Sequence, residues 1–392
     1  MSKADALFIV LQWIHWRMAS SLMLLTYPYR PDPRVFREAR ALLRHGIKVN
    51  LIAWDREGRL PKKAEEDGVN VIRLGPRCPY RSAGKVLARL PTFWLRALNA
   101  SRKIKFDLVH CHDFDTIPVG MLIAKLNGKP LLYDAHELYS EMIRKDVGGI
   151  ADSVWRMESS CSRKVDEIVT VNETLAEKLS TGRRTRARIV SNSPDTGALD
   201  GHEPAQIRER YGLRGFVASY LGSLEPGRFL EELMACMEPT GKVSMAIAGS
   251  GTLKPVIERA SRSNPAVKLL PTVDTDEALR ITWASDIVIA MLDPSNPNYK
   301  VSTPVKILDA MACGRPVITS KGLDFAKTVE KVGCGFVIPY EKEDFKKTLQ
   351  IALAEPKLLA EMGRRGREHF EKELSWERSK DELLKAYKAL TG

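Results

Sequence analysis

Residues 298–320 read Asn-Tyr-Lys-Val-Ser-Thr-Pro-Val-Lys-Ile-Leu-Asp-Ala-Met-Ala-Cys-Gly-Arg-Pro-Val-Ile-Thr-Ser, and this stretch decides the fold. Pro304 is typical of a helix start, because the first turn of a helix does not need the amide hydrogen that proline lacks. Gly314 is typical of a helix end, and the apolar run after it predicts a buried strand. A loop, a helix and a strand in this order form one crossover unit of a parallel sheet.

The rest of the 392-residue sequence repeats this alternation of β-rich runs and helical stretches. In the first half the predicted strands are Leu22–Thr26, Lys48–Ala53, Asn70–Leu74, Leu108–His110, Pro130–Asp134, Glu167–Val171 and Arg188–Ser191. In the second half they are Phe216–Leu221, Ser244–Ala248, Val267–Leu270, Ile287–Ala290, Pro316–Thr319 and Gly335–Ile338. The pattern predicts an α/β protein of two facing Rossmann-like domains with a central cleft.

Turn-forming residues between 192 and 201 predict the linker between these domains. We therefore expect a first domain over 1–195, a second domain over 196–365 and a C-terminal helical segment over 366–392. The apolar stretch from Ala4 to Pro28 contains the first strand, so we expect residues 4–19 to be an amphipathic lead-in and not a signal peptide. Six scattered cysteines without a Cys-x-x-Cys pair favour a reduced, cytoplasmic setting.

The net charge of +12 lies mostly in the first half of the chain. Between Asp67 and Asp107 there are nine cations and no acid, and apolar residues from Val86 to Leu98 recur at helical spacing. Such a basic amphipathic helix either lies on an anionic membrane surface or packs its apolar side against its own domain. No nucleic-acid reader motif accompanies it, so we expect no nucleic-acid partner.

The helix start within 298–320 has the chemistry of a phosphate site. We expect backbone amides of Thr303 and Val305, beside Pro304, to hold a diphosphate. Lys306 adds a cation in the first turn, and Asp309 lies on the same face, where a carboxylate accepts the hydroxyls of a ribose. The alternative is that Lys306 and Asp309 form a pair on the helix surface. A strand that runs into Gly249-Ser-Gly251 indicates either a plain tight turn or a second phosphate-binding loop.

This segment resembles the signature of glycosyltransferase family 4, retaining enzymes of the GT-B fold, which ends in Glu-Ala-Met-Ala-x-Gly-x-Pro-Val-Ile. The second glutamate of the family matches Asp309, whereas the first matches Val301, which cannot hydrogen-bond a sugar. Gly222 matches a family glycine, Arg228 falls where a family lysine reaches the donor phosphates, and Ser223 replaces a family arginine.

The resemblance implies further site residues. The family places the base of the nucleotide at Thr272 and Val273, a histidine at His112 beside the transferring sugar, and the last helix against the first domain. It implies that Tyr133–Glu137 faces the acceptor. The glycine pair expected near residue 30 is absent, and Arg30 and Arg34 are expected to supply charge in its place. The expected acceptor-side residues are Arg30, Asp32, Arg34, Asp134, His136 and Glu137.

From the residues alone, the histidines and carboxylates at 110–113 and 134–137 leave metal binding open as an alternative. The resemblance favours a metal-independent hexosyltransferase without a cofactor, with His112, Arg228 and Lys306 as catalytic residues. Its expected substrates are a UDP- or GDP-sugar and an acceptor hydroxyl, with a lipid-linked acceptor and peripheral contact with the cytoplasmic face of the membrane left open. The expected setting is synthesis of a glycan, glycolipid or cell-surface polysaccharide.

Two other functions fit the same fold. A nucleotide-sugar 2-epimerase would use carboxylates such as Asp113 and Glu137 as acid and base. An inactive scaffold protein would be consistent with the substitutions at Val301 and Ser223.

Overall fold

The computed structural model describes residues 19–29, 32–78, 83–239 and 242–391. The chain forms two compact units, the first containing residues up to Val190 and from Ser379 onward, the second containing Ser191–Arg378. The sequence-based boundaries at 195 and 366 thus differ from the structural division, and residues 366–378 stay with the second unit. The predicted lead-in at 4–18 and Arg30 lie outside the described residues.

The first unit is built on an eight-stranded sheet in the order β3-β4-β2-β1-β5-β6-β7-β8. Its strands are β1 Ser20–Leu25, β2 Lys48–Trp54, β3 Lys63–Glu66, β4 Val69–Leu74, β5 Leu108–His112, β6 Leu131–Ala135, β7 Glu167–Thr170 and β8 Arg188–Ile189. Neighbouring strands are parallel except β3, which pairs antiparallel with β4. The sequence did not predict β3. Fully buried apolar residues in β1, β5 and β6 explain why these strands lie at the centre of the sheet.

Helices connect and cover these strands. They are α1 Pro33–Arg44, α2 Ala83–Ser101, α3 Ile117–Asn127, α4 Tyr139–Val147, α5 Ile150–Ser162 and α6 Glu173–Ser180, with a 3₁₀ turn at Phe114–Thr116. Asp32 caps α1 by accepting a hydrogen bond from the amide of Val35 at 3.1 Å, and Pro33 occupies the first helical turn.

The second unit contains a six-stranded parallel sheet in the order β11-β10-β9-β12-β13-β14. Its strands are β9 Phe216–Leu221, β10 Val243–Ala248, β11 Val267–Leu269, β12 Ile287–Ala290, β13 Val317–Ser320 and β14 Gly335–Ile338. Its helices are α7 Pro204–Arg210, α8 Leu230–Cys236, α9 Lys254–Ser263, α10 Thr275–Trp283, α11 Pro297–Val301, α12 Val305–Ala312, α13 Ala326–Val332, α14 Lys342–Ala354 and α15 Pro356–His369. A 3₁₀ turn at Thr196–Leu199 precedes α7, and a π-helical turn at Phe370–Leu374 follows α15.

The apolar side of α2 is used within its own unit. Phe93 is fully buried and stacks on Trp54 at a ring-centroid distance of 5.2 Å, and Trp94 donates a hydrogen bond from Nε1 to the carbonyl of Asp115. Of the stripe predicted for membrane contact, Leu95 is strongly exposed, at 70%. The structure therefore realises the second alternative, in which the stripe packs on its own domain. Among the described residues, no helix has both the length and the apolar character needed to cross a membrane.

The last helix, α16 Trp376–Thr391, joins the first unit from Ser379 onward. Its buried Tyr387 hydroxyl lies 2.9 Å from Ser21 Oγ on β1 and 2.9 Å from His110 Nδ1 on β5. A single side chain thus ties this helix to two central strands of the sheet.

Replacing Tyr387 with Phe is expected to lower the free energy of unfolding by about 1–3 kcal/mol, because buried Ser21 and His110 would each lose a hydrogen-bond partner. Urea denaturation of the full chain measures this difference. The control is Tyr340→Phe, which removes the same kind of hydroxyl in the second unit. There the amide of Phe229 loses its acceptor in a partly buried site. A Tyr387→Phe midpoint equal to that of the unmodified protein would contradict the coupling of α16 to the sheet.

Candidate active site

Two clusters of polar side chains lie at carboxyl ends of strands, one in each unit, where parallel sheets place ligand sites. The cluster in the second unit contains Gly222, Arg228 and Lys306, and we call it the donor-side cluster after the role expected from the sequence. The cluster in the first unit contains Arg34, His112, Asp134 and His136, and we call it the acceptor-side cluster for the same reason.

In the donor-side cluster, Lys306 points back from the first turn of α12 to the end of β9. Its ammonium Nζ lies 4.3 Å from the ring centroid of Tyr220, a cation–π distance. It also lies 3.0 Å from the position that a Cβ at Gly222 would occupy, so glycine leaves room for the ammonium there. The alternative of a simple surface pair with Asp309 does not describe this position, because the ammonium reaches another strand of the sheet.

A second cation lies close to Lys306. The Arg228 guanidinium stacks over the ring of Tyr299 at 5.2 Å from its centroid. Burial and the charge of Arg228 lower the pKa of Lys306 to about 7, and Asp309 opposes this shift only in part. Two cations placed together in this way favour a bound anion, because an anion relieves both their repulsion and their desolvation.

The glycine loops hold the ends of β9 and β10 together. Gly249 and Gly251 have φ values of +150° and +159°. A Cβ at Gly249 would lie 1.8 Å from the carbonyl oxygen of Gly222, and one at Gly251 would lie 2.2 Å from that of Leu224. Both glycines are therefore required by the close approach of two backbones. The structure gives the two glycines this packing role; their predicted contact with phosphate stays a prediction.

The remaining donor-side predictions occupy the same end of the sheet. Pro304 is the N-cap of α12, Val305 is 44% exposed, and Thr303 and Asp309 are half-buried. In the loop after β11, Thr272 is exposed while Val273 packs against the buried cluster that contains Leu270. The sequence did not single out Tyr220 and Tyr299, whose rings hold the two cations.

The acceptor-side cluster centres on the buried carboxylate of Asp134. The strand register brings His112 next to Asp134, because Asp134 on β6 pairs with His112 on β5. Arg34 donates from Nε to Asp134 Oδ2 at 3.0 Å and from Nη2 to Oδ1 at 2.5 Å. His112 Nδ1 lies 3.1 Å, and His136 Nε2 2.9 Å, from Asp134 Oδ2.

Arg34 was expected to supply charge in place of the missing glycine pair, but the structure uses this charge inside the first unit. Its side chain is buried, at 5% exposure, and pairs with both Asp134 and Glu38, whose Oε1 lies 3.2 Å from Arg34 Nε. The Asp134 carboxylate already balances the charge of the guanidinium. Asp32 is likewise engaged as the cap of α1, and Glu137 is half-buried just after β6.

Burial and neighbouring charges together shift the pKa values of this cluster in opposite directions. Burial would raise the pKa of Asp134, but Arg34 and then His136 outweigh it and hold that pKa well below its usual range. It would lower the pKa of His136, but Asp113 and Asp134 raise that pKa to about 10. Burial, and next the charge of Asp134, raise the pKa of Glu38. His112 has a lowered pKa because of burial, so it is neutral at pH 7.

Four buried side chains place atoms that could ligate a metal ion close together, one atom from each residue and all within 4.8 Å of one another. They are Glu38, His110, His112 and Asp134. The sequence identified His110 and the other strand-end residues but missed Glu38. Its only signal is the spacing of four residues from Arg34 on α1, which places both on one helix face.

Two parallel-sheet units, a cation pair beside a glycine loop and a last helix that joins the first unit define the GT-B class of glycosyltransferases. A family model for Glycosyltransferase Family 4 matches residues 34–197, and one for Glycosyl transferases group 1 matches 215–355. The chain belongs to glycosyltransferase family 4 and is a glycosyltransferase.

Curated relatives are similar in sequence, and solved structures share the fold. The D-inositol 3-phosphate glycosyltransferase of Gordonia bronchialis is 28% identical over 385 residues, covering 90% of this chain and 82% of the relative. That of Nocardiopsis dassonvillei is 25% identical and covers 91% and 89%. Sucrose-phosphate synthase from Thermosynechococcus elongatus superposes with a TM-score of 0.75 at 18% identity, covering 95% of this chain and 99% of that chain. HepE from Anabaena in complex with UDP-glucose gives 0.69 at 15%, covering 94% and 100%.

Proposed function

We propose that the protein transfers a sugar from a UDP- or GDP-sugar to an acceptor hydroxyl with retention of anomeric configuration and without a metal ion. The observation that carries the proposal is the pair of cations at the carboxyl end of β9. Lys306 and Arg228 lie close enough for each to act electrostatically on the other. Nucleotide-sugars carry a diphosphate, and two side-chain cations can neutralise it in place of a metal.

In this proposal the diphosphate lies against Lys306, Arg228 and backbone amides at the start of α12. As the bond from the sugar to the diphosphate breaks, the cations stabilise the charge that develops on the leaving oxygen. That oxygen takes the proton of the acceptor hydroxyl, which attacks from the same face, so the configuration is retained. Asp309 would accept the ribose hydroxyls, and Thr272 and Val273 would hold the base.

For the acceptor, the names of the curated relatives make a phosphorylated polyol the first class to test. A lipid-linked sugar is the second, and it would place the protein in glycolipid or polysaccharide synthesis. The apolar stripe of α2 is buried, so any contact of this helix with anionic lipid would depend on charge. Exposed cations on α2, such as Lys85, Arg89 and Arg96, support such a contact.

The proposal is tested by calorimetry of UDP, GDP and their sugars, with and without a chelator, followed by proton NMR of the product. Retention gives a product with the anomeric configuration of the donor, and binding does not change with the chelator. A sugar that changes configuration at C2 without an acceptor would indicate the epimerase. Absence of binding to any nucleotide would favour the scaffold function.

Donor binding should weaken as pH rises above 7, because the lowered pKa of Lys306 lies near 7 and only its ammonium form attracts the diphosphate. Affinity for the nucleotide-sugar should be nearly constant below pH 6 and fall about tenfold per pH unit above 7, until the pKa of the bound state is reached. The nucleotide-sugar itself is used because its diphosphate has no terminal phosphate group to titrate. Calorimetry from pH 6 to 8.5 measures the change.

Lys306→Arg is the control for this pH dependence, because a guanidinium stays charged over the whole range. Burial raises the pKa of Tyr220, whose ring lies under the ammonium, to about 12, so this hydroxyl stays protonated over the same range. Equal slopes in the unmodified protein and the Arg variant would contradict a role for the Lys306 ammonium.

A further inference from the structure

Asp134 is held so rigidly that it can fix the orientation of His112. Its two oxygens accept from Nε and Nη2 of Arg34, a bidentate pair that prevents rotation of the carboxylate. Arg34 is itself anchored, since its Nη1 donates to the carbonyl of Val190 at 2.6 Å. All of these side chains are at least 95% buried.

This geometry selects one tautomer of His112. A carboxylate with three donors around Oδ2 can only accept, so the Nδ1 of His112, 3.1 Å away, must carry its proton. In the neutral ring Nε2 is then a bare acceptor. Within the described part of the chain, Nε2 is buried and has no hydrogen-bond partner.

The neighbouring ring of His136 does not compete for this proton. Its Nε2 lies 3.2 Å from His112 Nδ1 and 2.9 Å from Asp134 Oδ2. Its Nδ1 faces Asp113 Oδ2 at 3.6 Å. A ring between two carboxylates is an imidazolium with a proton on each nitrogen, so its Nε2 donates to Asp134 and cannot accept from His112.

We propose that Asp134, locked by Arg34, is a positioning residue that fixes His112 as the Nδ1–H tautomer and aims its unprotonated Nε2 at a hydroxyl of the substrate. This inference rests on the proposed function for its substrate. His112 accepts a hydrogen bond from that hydroxyl and orients it. Asp134 acts only through His112.

The first experiment measures the tautomer of His112 directly. Long-range proton–nitrogen NMR of the histidine-labelled full chain at pH 7 reports the tautomer of each ring, and a His112→Gln variant assigns the signal among the seven histidines. The expected result is an Nδ1–H ring at His112. In Asp134→Asn the side-chain amide can turn its NH₂ toward the ring, and the expected result is an Nε2–H ring.

The second experiment separates positioning from structure. Asp134→Asn should lower kcat about 100-fold while the Kd of the nucleotide-sugar stays within about twofold, since the donor-side residues belong to the other unit. Arg34→Lys keeps the charge but loses the bidentate geometry, so it should shift kcat in the same direction even if Asp134→Asn fails to fold. Glu158→Gln is the matched control, a buried carboxyl of the first unit bonded to Tyr133 and outside this cluster.

Three results would overturn the proposal. One is an Nε2–H or doubly protonated His112 in the unmodified protein. The second is a folded Asp134→Asn variant with unchanged kcat. The third is a stoichiometric metal ion bound by Glu38, His110, His112 and Asp134, since His112 would then coordinate the ion and would not accept from a substrate hydroxyl. Failure of every donor to turn over would instead contradict the proposed function, and the tautomer measurement would still decide the present inference.

Discussion

Replacing Lys306 with Ala is expected to abolish measurable nucleotide-sugar binding and to lower kcat/KM by about 10³-fold. The ammonium reaches the end of β9, where it lies over Tyr220 and beside Gly222. It is one of only two cations that we assign to the diphosphate, because Ser223 stands where the family has an arginine. Calorimetry and steady-state kinetics with the donor found in the nucleotide screen measure both effects.

A loss of binding in Lys306→Ala must be separated from a loss of structure. In the unliganded protein the ammonium is desolvated and close to Arg228, so Lys306→Met should raise the melting temperature while it removes binding. Lys300→Ala changes an exposed lysine six positions earlier and should alter neither property. Donor affinity within about threefold of normal in Lys306→Ala would show that the diphosphate binds elsewhere.

The sequence predicted the second sheet well because its strands are short apolar runs between turn residues. Phe216–Leu221, Ile287–Ala290 and Gly335–Ile338 were predicted with the bounds that the structure has. The edge strand β3 was missed because Lys-Ala-Glu-Glu has neither apolar alternation nor a buried face. Its position depends on pairing with β4, which a local pattern does not contain.

The same distinction applies to the candidate site. Lys306 and Asp309 were predicted from local spacing within one helix, and the structure adds that the lysine reaches Tyr220. The role of Tyr387 could not be predicted, because its partner His110 lies 277 positions away in the chain. For Arg34 the charge was correctly noted, but Asp134, the carboxylate that balances it, comes from strand β6, about 100 residues further along the chain. Sequence spacing identifies groups on one element, whereas pairing between elements requires the fold.

Gly249→Ala is expected to destabilise the second unit by roughly 3–5 kcal/mol and to remove donor binding with it. The new Cβ would lie 1.8 Å from the carbonyl oxygen of Gly222, and the φ of +150° is one that alanine rarely adopts. Gly222 cannot move freely, since its amide donates to the carbonyl of Ala248 at 2.9 Å. Relief of the clash therefore separates the ends of β9 and β10 and shifts Gly222 away from Lys306.

Urea denaturation and calorimetry of Gly249→Ala measure stability and donor binding together. The matched change is Gly149→Ala in the first unit, where the φ is ordinary and a Cβ meets no atom within 4 Å. That variant should keep both properties, because the added methyl group costs little there and lowers the entropy of the unfolded chain. If Gly249→Ala unfolded at the same urea concentration as Gly149→Ala, the two backbones could not approach as closely as the structure places them. If it were destabilised yet bound the donor normally, Gly222 would have no part in positioning the Lys306 ammonium.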